Sequence, residues 1–344
     1  MKRRILSTAL SGLGISSALL ALRQLTHTPW LTVLTYHRVH PGPSVEAVDA
    51  GVVAVTPETF DRQLAMLARR FDVVSVERVV EAASGGALLP RSPVLITFDD
   101  GYRDNYDVAL PLLRKHGLTA TFFIATQFVD ERRLFWWDRV NYVLKASRLE
   151  KVELEYPNKS VLALGPTPAH RASAIKAALR IVKGHFGLNV TLFLEHLADA
   201  AGVRFDRAQE TKLANEHIMT WPEVRALHEA GMSVQSHTHS HRVLDTLTKE
   251  DLDDELVRSR YMLEAALGHR VSAIAYPVGK TPSCSRTIRD AVYRAGYALA
   301  FSNRTGVNPV ASFDEHDAKR IAIDTSISDA WFEAIMAVPA LAHQ

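Results

Sequence analysis

The chain has 344 residues, of which 47% are hydrophobic and 23% charged, and this composition excludes disordered, collagen-like and low-complexity proteins. Its formal net charge of +2 argues against nucleic acid as a partner, because bulk electrostatics would not favour that binding. The single cysteine excludes disulfide frameworks and cysteine-rich metal sites within one chain. Fifteen histidines leave imidazole and carboxylate groups as the available metal ligands.

The N-terminal segment joins a basic start to an uncharged stretch. Residues 2–4 are Lys, Arg and Arg, and residues 5–22 carry no charge but include several hydroxyl side chains and glycines. Two alternatives fit residues 1–28: an uncleaved segment in peripheral association with a membrane, and a helix packed on the domain. A spanning helix is disfavoured because the stretch is short and diluted by polar residues. The compartment therefore stays open between envelope or membrane-associated and cytoplasmic.

From residue 31 onward, short β-rich runs alternate with amphipathic helical runs. Strands are predicted at 31–37, 71–76, 94–98, 119–125, 232–236, 271–276, 297–301 and 320–323. Helices are predicted between them at 57–70, 104–116, 221–230, 249–267, 285–295 and 329–336. Seven or eight strands joined by helices predict an α/β fold, an irregular (β/α) barrel, with a doubly wound open sheet as the competing topology.

The alternation pauses between about residues 134 and 218. This part contains a predicted helix in FWWDRVNYVLKAS, a hairpin within residues 152–164 and helical stretches at 169–185 and 190–201. We interpret it as a helical insertion or lid within one domain that covers residues 29–344.

Polar residues follow four of the predicted strands. They are Tyr36-His37, Asp99-Asp100-Gly101, the run from His237 to His241, and Tyr276 with the residues after it. In a (β/α) barrel the carboxyl ends of the strands converge on one rim, where active sites lie. The sequence therefore predicts that these segments face a single cavity.

Two histidines and two aspartates in this set suggest a metal centre. His237 and His241 are four residues apart, which in a helical turn places both imidazoles on one side, although such a pair alone is weak evidence. Burying Asp99 and Asp100 after an apolar strand is unfavourable unless a cation or partner compensates. Asp100 with the two histidines could hold a divalent cation while Asp99 accepts a proton from water, a pattern typical of metal-dependent hydrolysis. The alternative for Asp100 alone is a helix cap.

These motifs resemble a known family. TFDDG at residues 97–101 and SHTHSH at 236–241 resemble the first two motifs of the NodB-homology polysaccharide deacetylases, carbohydrate esterase family four, and AIAYPVGK at 273–280 is similar to a variant of their third. The resemblance covers most of residues 31–323. It implies a distorted (β/α) barrel and a hydrolase of carbon–nitrogen bonds that removes N-acetyl, or O-acetyl, groups from an exopolysaccharide or cell-wall glycan. The implied cofactor is a divalent metal, Zn²⁺, with Co²⁺ or Ni²⁺ as alternatives.

The resemblance also implies roles for individual residues. Asp99 would be the catalytic base, and Asp100, His237 and His241 would bind the metal. Tyr276 would contact substrate by contributing its backbone N–H to an oxyanion hole. The family often carries an arginine at this position, bonded to the base, so the partner that orients Asp99 stays open.

The general acid has two candidates. The family's late L-x-H motif has no good match near the C-terminus, where His316 lies in a polar loop. L-T-Y-H at residues 34–37 instead resembles the L-x-Y-H signature of the subgroup that includes poly-N-acetylglucosamine deacetylases. The resemblance therefore favours His37 as the acid.

Trp136 and Trp137 are candidates for stacking on sugar rings, with core or lid packing as the alternative. Asp138 and Arg139 complete an FWWDR stretch that recurs in the same subgroup, and the sequence indicates no role for it. Two other functions remain open, a deacetylase or deformylase of a lipid-linked or small sugar and a non-catalytic glycan-binding barrel. No feature of the sequence specifies an oligomeric state.

Overall fold

A computed structural model describes residues 18–20, 30–42, 50–86, 88–278 and 285–343. The expectations for residues 1–28 lie outside the described residues, apart from residues 18–20, as do Gly279 and Lys280 of the third motif. No helix within the described ranges is long and apolar enough to cross a membrane.

The secondary structure alternates between strands and helices along most of the chain. From residue 30 onward the strands are β1 (Trp30–Tyr36), β2 (Arg38–Val39), β3 (Val53–Val55), β4 (Asp72–Val73), β5 (Pro93–Phe98), β6 (Thr121–Ile124), β7 (Lys151–Leu154), β8 (Ser160–Ala163), β9 (Ser233–Ser236), β10 (Ala273–Ala275), β11 (Leu299–Thr305), β12 (Asn308–Pro309) and β13 (Ala318–Ala322). From residue 57 onward the α-helices are α1 (Pro57–Arg70), α2 (Val76–Ala83), α3 (Leu110–Lys115), α4 (Thr126–Glu131), α5 (Trp136–Ala146), α6 (Pro168–Gly184), α7 (Val190–Ala200), α8 (Arg207–His217), α9 (Trp221–Glu229), α10 (Lys249–Leu267), α11 (Arg286–Arg294) and α12 (Asp329–Ala337).

Seven parallel strands form a closed barrel in the order β1, β13, β11, β10, β9, β6 and β5. The ring closes because β5 pairs with β1 over five residue pairs, from Thr32 with Val94 to Tyr36 with Phe98. The predicted distorted barrel is therefore confirmed, and the open sheet is excluded because that topology would leave β1 and β5 as separate edges. Outside the ring, β4 extends the sheet from β5, and β12 pairs antiparallel with the start of β1.

Alternate residues of each barrel strand point to opposite sides, because side chains alternate with a period of two. Leu95 packs in one cluster with Leu31 and Phe301, whereas its neighbours on β5 belong to a second cluster that includes the surrounding helices. The ring of Phe98, for example, lies 5.6 Å from that of Phe60 on α1. This double burial explains why the strand sequences are almost continuously apolar.

The prediction of a barrel strand at residues 71–76 is wrong. Only β4 forms there, and it lies outside the ring. The chain turns into α2 because Ser75 is its N-cap, with the Oγ atom accepting the Arg78 N–H at 3.3 Å.

The predicted helix at 104–116 is divided into a π-helical segment, Asn105–Ala109, and α3. Pro111 has no N–H to donate to the carbonyl of Asp107, so a continuous α-helical ladder cannot pass this point. A widened turn therefore follows directly after the aspartate motif.

The part between β6 and β9 carries the expected hairpin and helices. Strands β7 and β8 pair antiparallel, with Val152 opposite Leu162. Helix α8 was not predicted, because only Glu210 and Ala214 of its side chains are buried and the apolar periodicity is therefore weak. Its start is nevertheless marked by Asp206, which accepts the Gln209 N–H at 2.9 Å.

Candidate active site

The predicted site residues follow the carboxyl ends of barrel strands. Asp99 and Asp100 follow β5, the segment from His237 to His241 follows β9, and His37 follows β1. Parallel strands of a barrel present these ends on one rim, so residues far apart in sequence converge there.

Asp100, His237 and His241 form a compact buried cluster. Their ligand atoms all lie within 4.8 Å of one another. Asp100 Oδ1 is 3.4 Å from His237 Nε2 and 3.3 Å from His241 Nε2. The structure thus places the two histidines and the aspartate around one point, as a three-residue metal centre requires.

The expectation that a helical turn brings the histidines together is wrong. Residues 237–242 form a loop in which Thr238 has φ 66° and His241 has φ 55°. Asp100, which follows β5 on the same rim, has φ 78° and does not cap a helix. A left-handed backbone at a residue other than glycine costs about 1–3 kcal/mol, and it persists only where the surroundings impose it.

Glu255 on α10 is one group that imposes this loop conformation. Its Oε2 atom accepts the backbone N–H groups of His239 and Ser240 at 2.9 and 2.8 Å, and its other oxygen accepts the Ser240 hydroxyl. Burial raises the pKa of Glu255, although these hydrogen bonds oppose the shift. The Thr238 hydroxyl completes the loop by accepting the His241 N–H at 3.2 Å.

The donor set fits a cation. His237 Nδ1 lies 2.8 Å from the carbonyl oxygen of Ala275, which can only accept, so the ring in its neutral form would present the lone pair of Nε2 to a cation beside Asp100. Without a cation, burial lowers the pKa of His237, but the carboxylates of Asp99 and Asp100 outweigh burial and raise it. Asp100 Oδ1 and Asp99 Oδ2 are buried and accept no hydrogen bond from the described part of the chain. Burial lowers the pKa of His241 to about 4, so this imidazole is in its neutral, ligating form at neutral pH. A divalent cation would satisfy the facing ligand atoms of Asp100, His237 and His241.

Arg320 on β13 holds Asp99, and the sequence reasoning missed this residue. Its Nη1 donates to Asp99 Oδ1 at 2.8 Å, with both side chains 1% exposed. The guanidinium also donates to the carbonyl of Ser302 at 3.1 Å and to Asn303 Oδ1 at 2.6 Å. Arg320 therefore contacts Asp99 from a different strand than the one that carries the third motif. The signal in the sequence was a charged side chain inside the last predicted strand, where Arg320 lies between Lys319 and Ile321.

The charges around Asp99 favour its ionised form. Burial alone raises the pKa of this carboxyl, but the positive charges of Arg320, His237 and His37 outweigh burial and hold the pKa below its ordinary value. Asp99 Oδ2 lies 3.9 Å from His237 Nε2, beside the metal cluster. The carboxylate is therefore placed and charged as a proton acceptor next to the candidate cation site.

His37 lies on the same rim and is half-buried. Its charged form is close enough to lower the pKa of both Asp99 and Asp100. Its carbonyl accepts the Asn105 side-chain amide at 2.8 Å, which fixes the backbone that carries it. His316, the alternative acid, lies in the loop before β13 and therefore at the amino end of that strand.

The predicted oxyanion-hole role of the Tyr276 N–H is wrong. This N–H donates to the carbonyl of Phe301 at 2.9 Å, so it is part of the barrel ladder. The hydroxyl donates to the carbonyl of His316 at 3.0 Å, and the side chain is fully buried. Pro277 has no N–H, so the next backbone donor along the chain belongs to Val278, which has φ 60°.

The predicted stacking of sugar rings on Trp136 and Trp137 is also wrong. The two residues are only 3% and 5% exposed, so little of either ring is available to stack on a sugar. The alternative, packing in the core, describes both. Both residues also contact the candidate ligand His241.

The protein is therefore a parallel barrel that carries a candidate metal-dependent active site at its carboxyl rim, formed by a buried aspartate and two histidines. The chain belongs to the polysaccharide deacetylase family, which it matches over residues 88–153 and 174–300. Barrel strands β5, β6, β9 and β10 and both metal-ligand motifs lie within this match.

Two curated relatives cover parts of the chain. The YxkH protein of Bacillus subtilis, whose name assigns it to the polysaccharide deacetylases, is 21% identical over 243 residues, which are 70% of this chain and 55% of that protein. The poly-β-1,6-N-acetyl-D-glucosamine N-deacetylase of Escherichia coli is 30% identical over 111 residues, 31% of this chain and 16% of that protein. The chain thus spans about half the length of the first relative and a smaller part of the second.

Solved structures share the fold over nearly the whole chain. The deacetylase PplD of Streptococcus pyogenes has a TM-score of 0.57 at 21% identity, covering 89% of this chain and 96% of that one. IcaB of Ammonifex degensii has a TM-score of 0.55 at 17% identity, covering 93% and 99%.

Proposed function

We propose that this chain is a metal-dependent hydrolase that removes N-acetyl, or O-acetyl, groups from a polysaccharide such as an exopolysaccharide or cell-wall glycan. The observation that carries the proposal is the buried cluster of Asp100, His237 and His241 beside Asp99, whose carboxylate is held by Arg320. Family membership supports the reaction class, and the name of the Escherichia coli relative supports an N-acetylglucosamine polymer as substrate.

The proposed mechanism assigns one task to each residue. Asp100, His237 and His241 would hold a divalent cation, Zn²⁺ or alternatively Co²⁺ or Ni²⁺, whose charge would polarise the acetyl carbonyl and acidify water. Asp99 takes the proton that the attacking water loses, and Arg320 keeps this carboxylate ionised and oriented.

His37 completes the reaction as the general acid. The water oxygen bonds to the acetyl carbon, and the bond from that carbon to the sugar nitrogen breaks. His37 gives a proton to the leaving nitrogen, so the products are acetate and the free amine of the sugar. Its half-buried position on the rim leaves it accessible to a bound polymer.

Chelation is expected to abolish acetate release from acetylated glycans. Without a cation, no Lewis acid would polarise the acetyl carbonyl or acidify the attacking water. The measurement is acetate release from a panel of N-acetylated and O-acetylated polymers and small sugars, with chelator and then with Zn²⁺, Co²⁺ or Ni²⁺ restored. Full activity in chelator would contradict metal dependence, and metal-loaded protein that binds glycan but releases no acetate would favour the non-catalytic alternative.

His37→Ala is expected to lower kcat about 10²–10⁴-fold, the usual contribution of a positioned general acid. The matched variant is His316→Ala, which removes an imidazole at the amino end of β13 and is expected to retain activity. The measurement is kcat for acetate release from the same polymer, with bound metal quantified in both proteins. Loss of turnover in His316→Ala alone would reverse the assignment.

A further inference from the structure

Helix α5 begins beside the candidate metal ligand His241. Trp136 Nε1 donates to the His241 carbonyl at 3.2 Å. The Trp137 ring lies 4.4 Å from the His241 imidazole between centroids, with the two planes inclined by 53°. The first two residues of this helix therefore contact both the backbone and the ring of one ligand.

His241 depends on such contacts more than His237 does. The Nδ1 atom of His237 is bonded to the Ala275 carbonyl, whereas His241 Nδ1 is buried and has no hydrogen-bond partner among the described residues. A ligating histidine is usually oriented by a hydrogen bond from its second nitrogen. In the absence of that bond, the orientation of the His241 ring must come from packing. Its backbone, with φ 55°, also needs an external restraint.

Trp137 is itself held in a fixed plane. It stacks on Phe135 with centroids 4.5 Å apart and an interplanar angle of 7°. Its Nε1 donates to the Tyr102 hydroxyl at 2.7 Å, and that hydroxyl donates to Asp138 Oδ2 at 3.0 Å. Tyr102 lies two residues after Asp100, so this buried network joins the surroundings of two candidate ligands.

We propose that Trp136 and Trp137 are positioning residues that hold His241 in its ligating geometry, and that Tyr102 and Asp138 fix the plane of Trp137. The FWWDR stretch then acts on metal affinity and not on sugar binding. The proposal rests on the metal centre of the proposed function, and the test separates the two because the metal affinity of the unaltered protein is measured first.

The test uses Trp136→Phe in the full chain, which removes the indole N–H and keeps an aromatic ring. Zn²⁺ affinity is measured by competition with a chromophoric chelator, and the expected result is a dissociation constant raised about 10-fold or more, the usual effect of losing an outer-shell partner. Trp221→Phe is the matched control, because it removes an indole bond to Asp130 Oδ1 of 3.0 Å, which lies outside this network. We expect the control to bind Zn²⁺ as the unaltered protein does.

A second measurement separates positioning from stability. The unfolding temperature of each variant is measured without metal. If the tryptophan had a purely structural role, this temperature would fall, but the Zn²⁺ dissociation constant of the folded protein would not change. Equal affinity in Trp136→Phe, Trp221→Phe and the unaltered chain would overturn the proposal, whereas absence of Zn²⁺ binding in the unaltered chain would instead overturn the proposed function. If Trp136→Phe does not fold, Tyr102→Phe takes its place, with the same expected direction and the same overturning result.

Discussion

Asp99→Asn is expected to lower kcat for acetate release about 10²–10⁴-fold, because an amide cannot accept the proton that the attacking water loses. The substitution preserves the size of the side chain, and Asp99 is not one of the three clustered ligands. Metal content should therefore stay close to that of the unaltered protein. The measurements are kcat from acetate release and bound metal by elemental analysis of the same preparation.

Asp100→Asn is the matched variant, since it makes the same chemical change at the neighbouring position. Asp100 supplies the carboxylate oxygen nearest to both histidines, at 3.4 and 3.3 Å. Its replacement is expected to lower metal affinity as well as activity. An Asp99→Asn protein that turned over at the unaltered rate would show that another group is the base.

Arg320→Met is expected to impair both stability and catalysis. Removing one partner of a buried ion pair leaves an uncompensated charge and typically costs about 3–5 kcal/mol in the free energy of unfolding. The Asp99–Arg320 pair is fully buried with an N–O distance of 2.8 Å, so the effect should lie in this range at neutral pH. Denaturant unfolding followed by circular dichroism measures it.

The catalytic effect of Arg320→Met has a defined pH dependence. Arg320 contributes to holding the pKa of Asp99 below its ordinary value, and without it the burial of the carboxyl raises that pKa. A base works only when ionised, so the acidic limb of the kcat/KM profile should move to higher pH. Because the pKa of Asp99 is lower in the folded protein than in the unfolded chain, the ionised carboxylate stabilises the unaltered protein at pH values above its unfolded-state pKa. That advantage is lost as pH falls, so the stability difference from the variant should shrink in acid.

Arg320→Lys is the control that separates the effect of the positive charge from the effect of the hydrogen-bond geometry. Lysine keeps a positive charge but cannot make the fork of hydrogen bonds to Asp99, Ser302 and Asn303. We expect the pH profile to return toward that of the unaltered protein while kcat stays reduced. A profile identical in Arg320→Met and the unaltered chain would show that Arg320 does not tune the base.

The barrel could be predicted because its strands are apolar on both faces and separated by amphipathic helices. The error at residues 71–76 has a local cause, since Ser75 caps α2 and ends the strand. The division of the 104–116 helix has a local cause as well, in Pro111. Register and closure depend on the pairing of β1 with β5, in which Thr32 lies opposite Val94 and Tyr36 lies opposite Phe98. These partners are far apart in the chain, and local propensity does not report such pairing.

The sequence by itself determined the fold class and the candidate ligands Asp100, His237 and His241. Carboxylate and imidazole side chains that directly follow apolar strands must meet at the carboxyl rim of a parallel barrel. Only the tertiary structure showed that Arg320 reaches Asp99 from 221 positions away. It also showed that the Tyr276 N–H is bonded within the sheet and that Trp136 is buried. These properties depend on which strands are neighbours and which groups are already paired, and both follow from long-range packing.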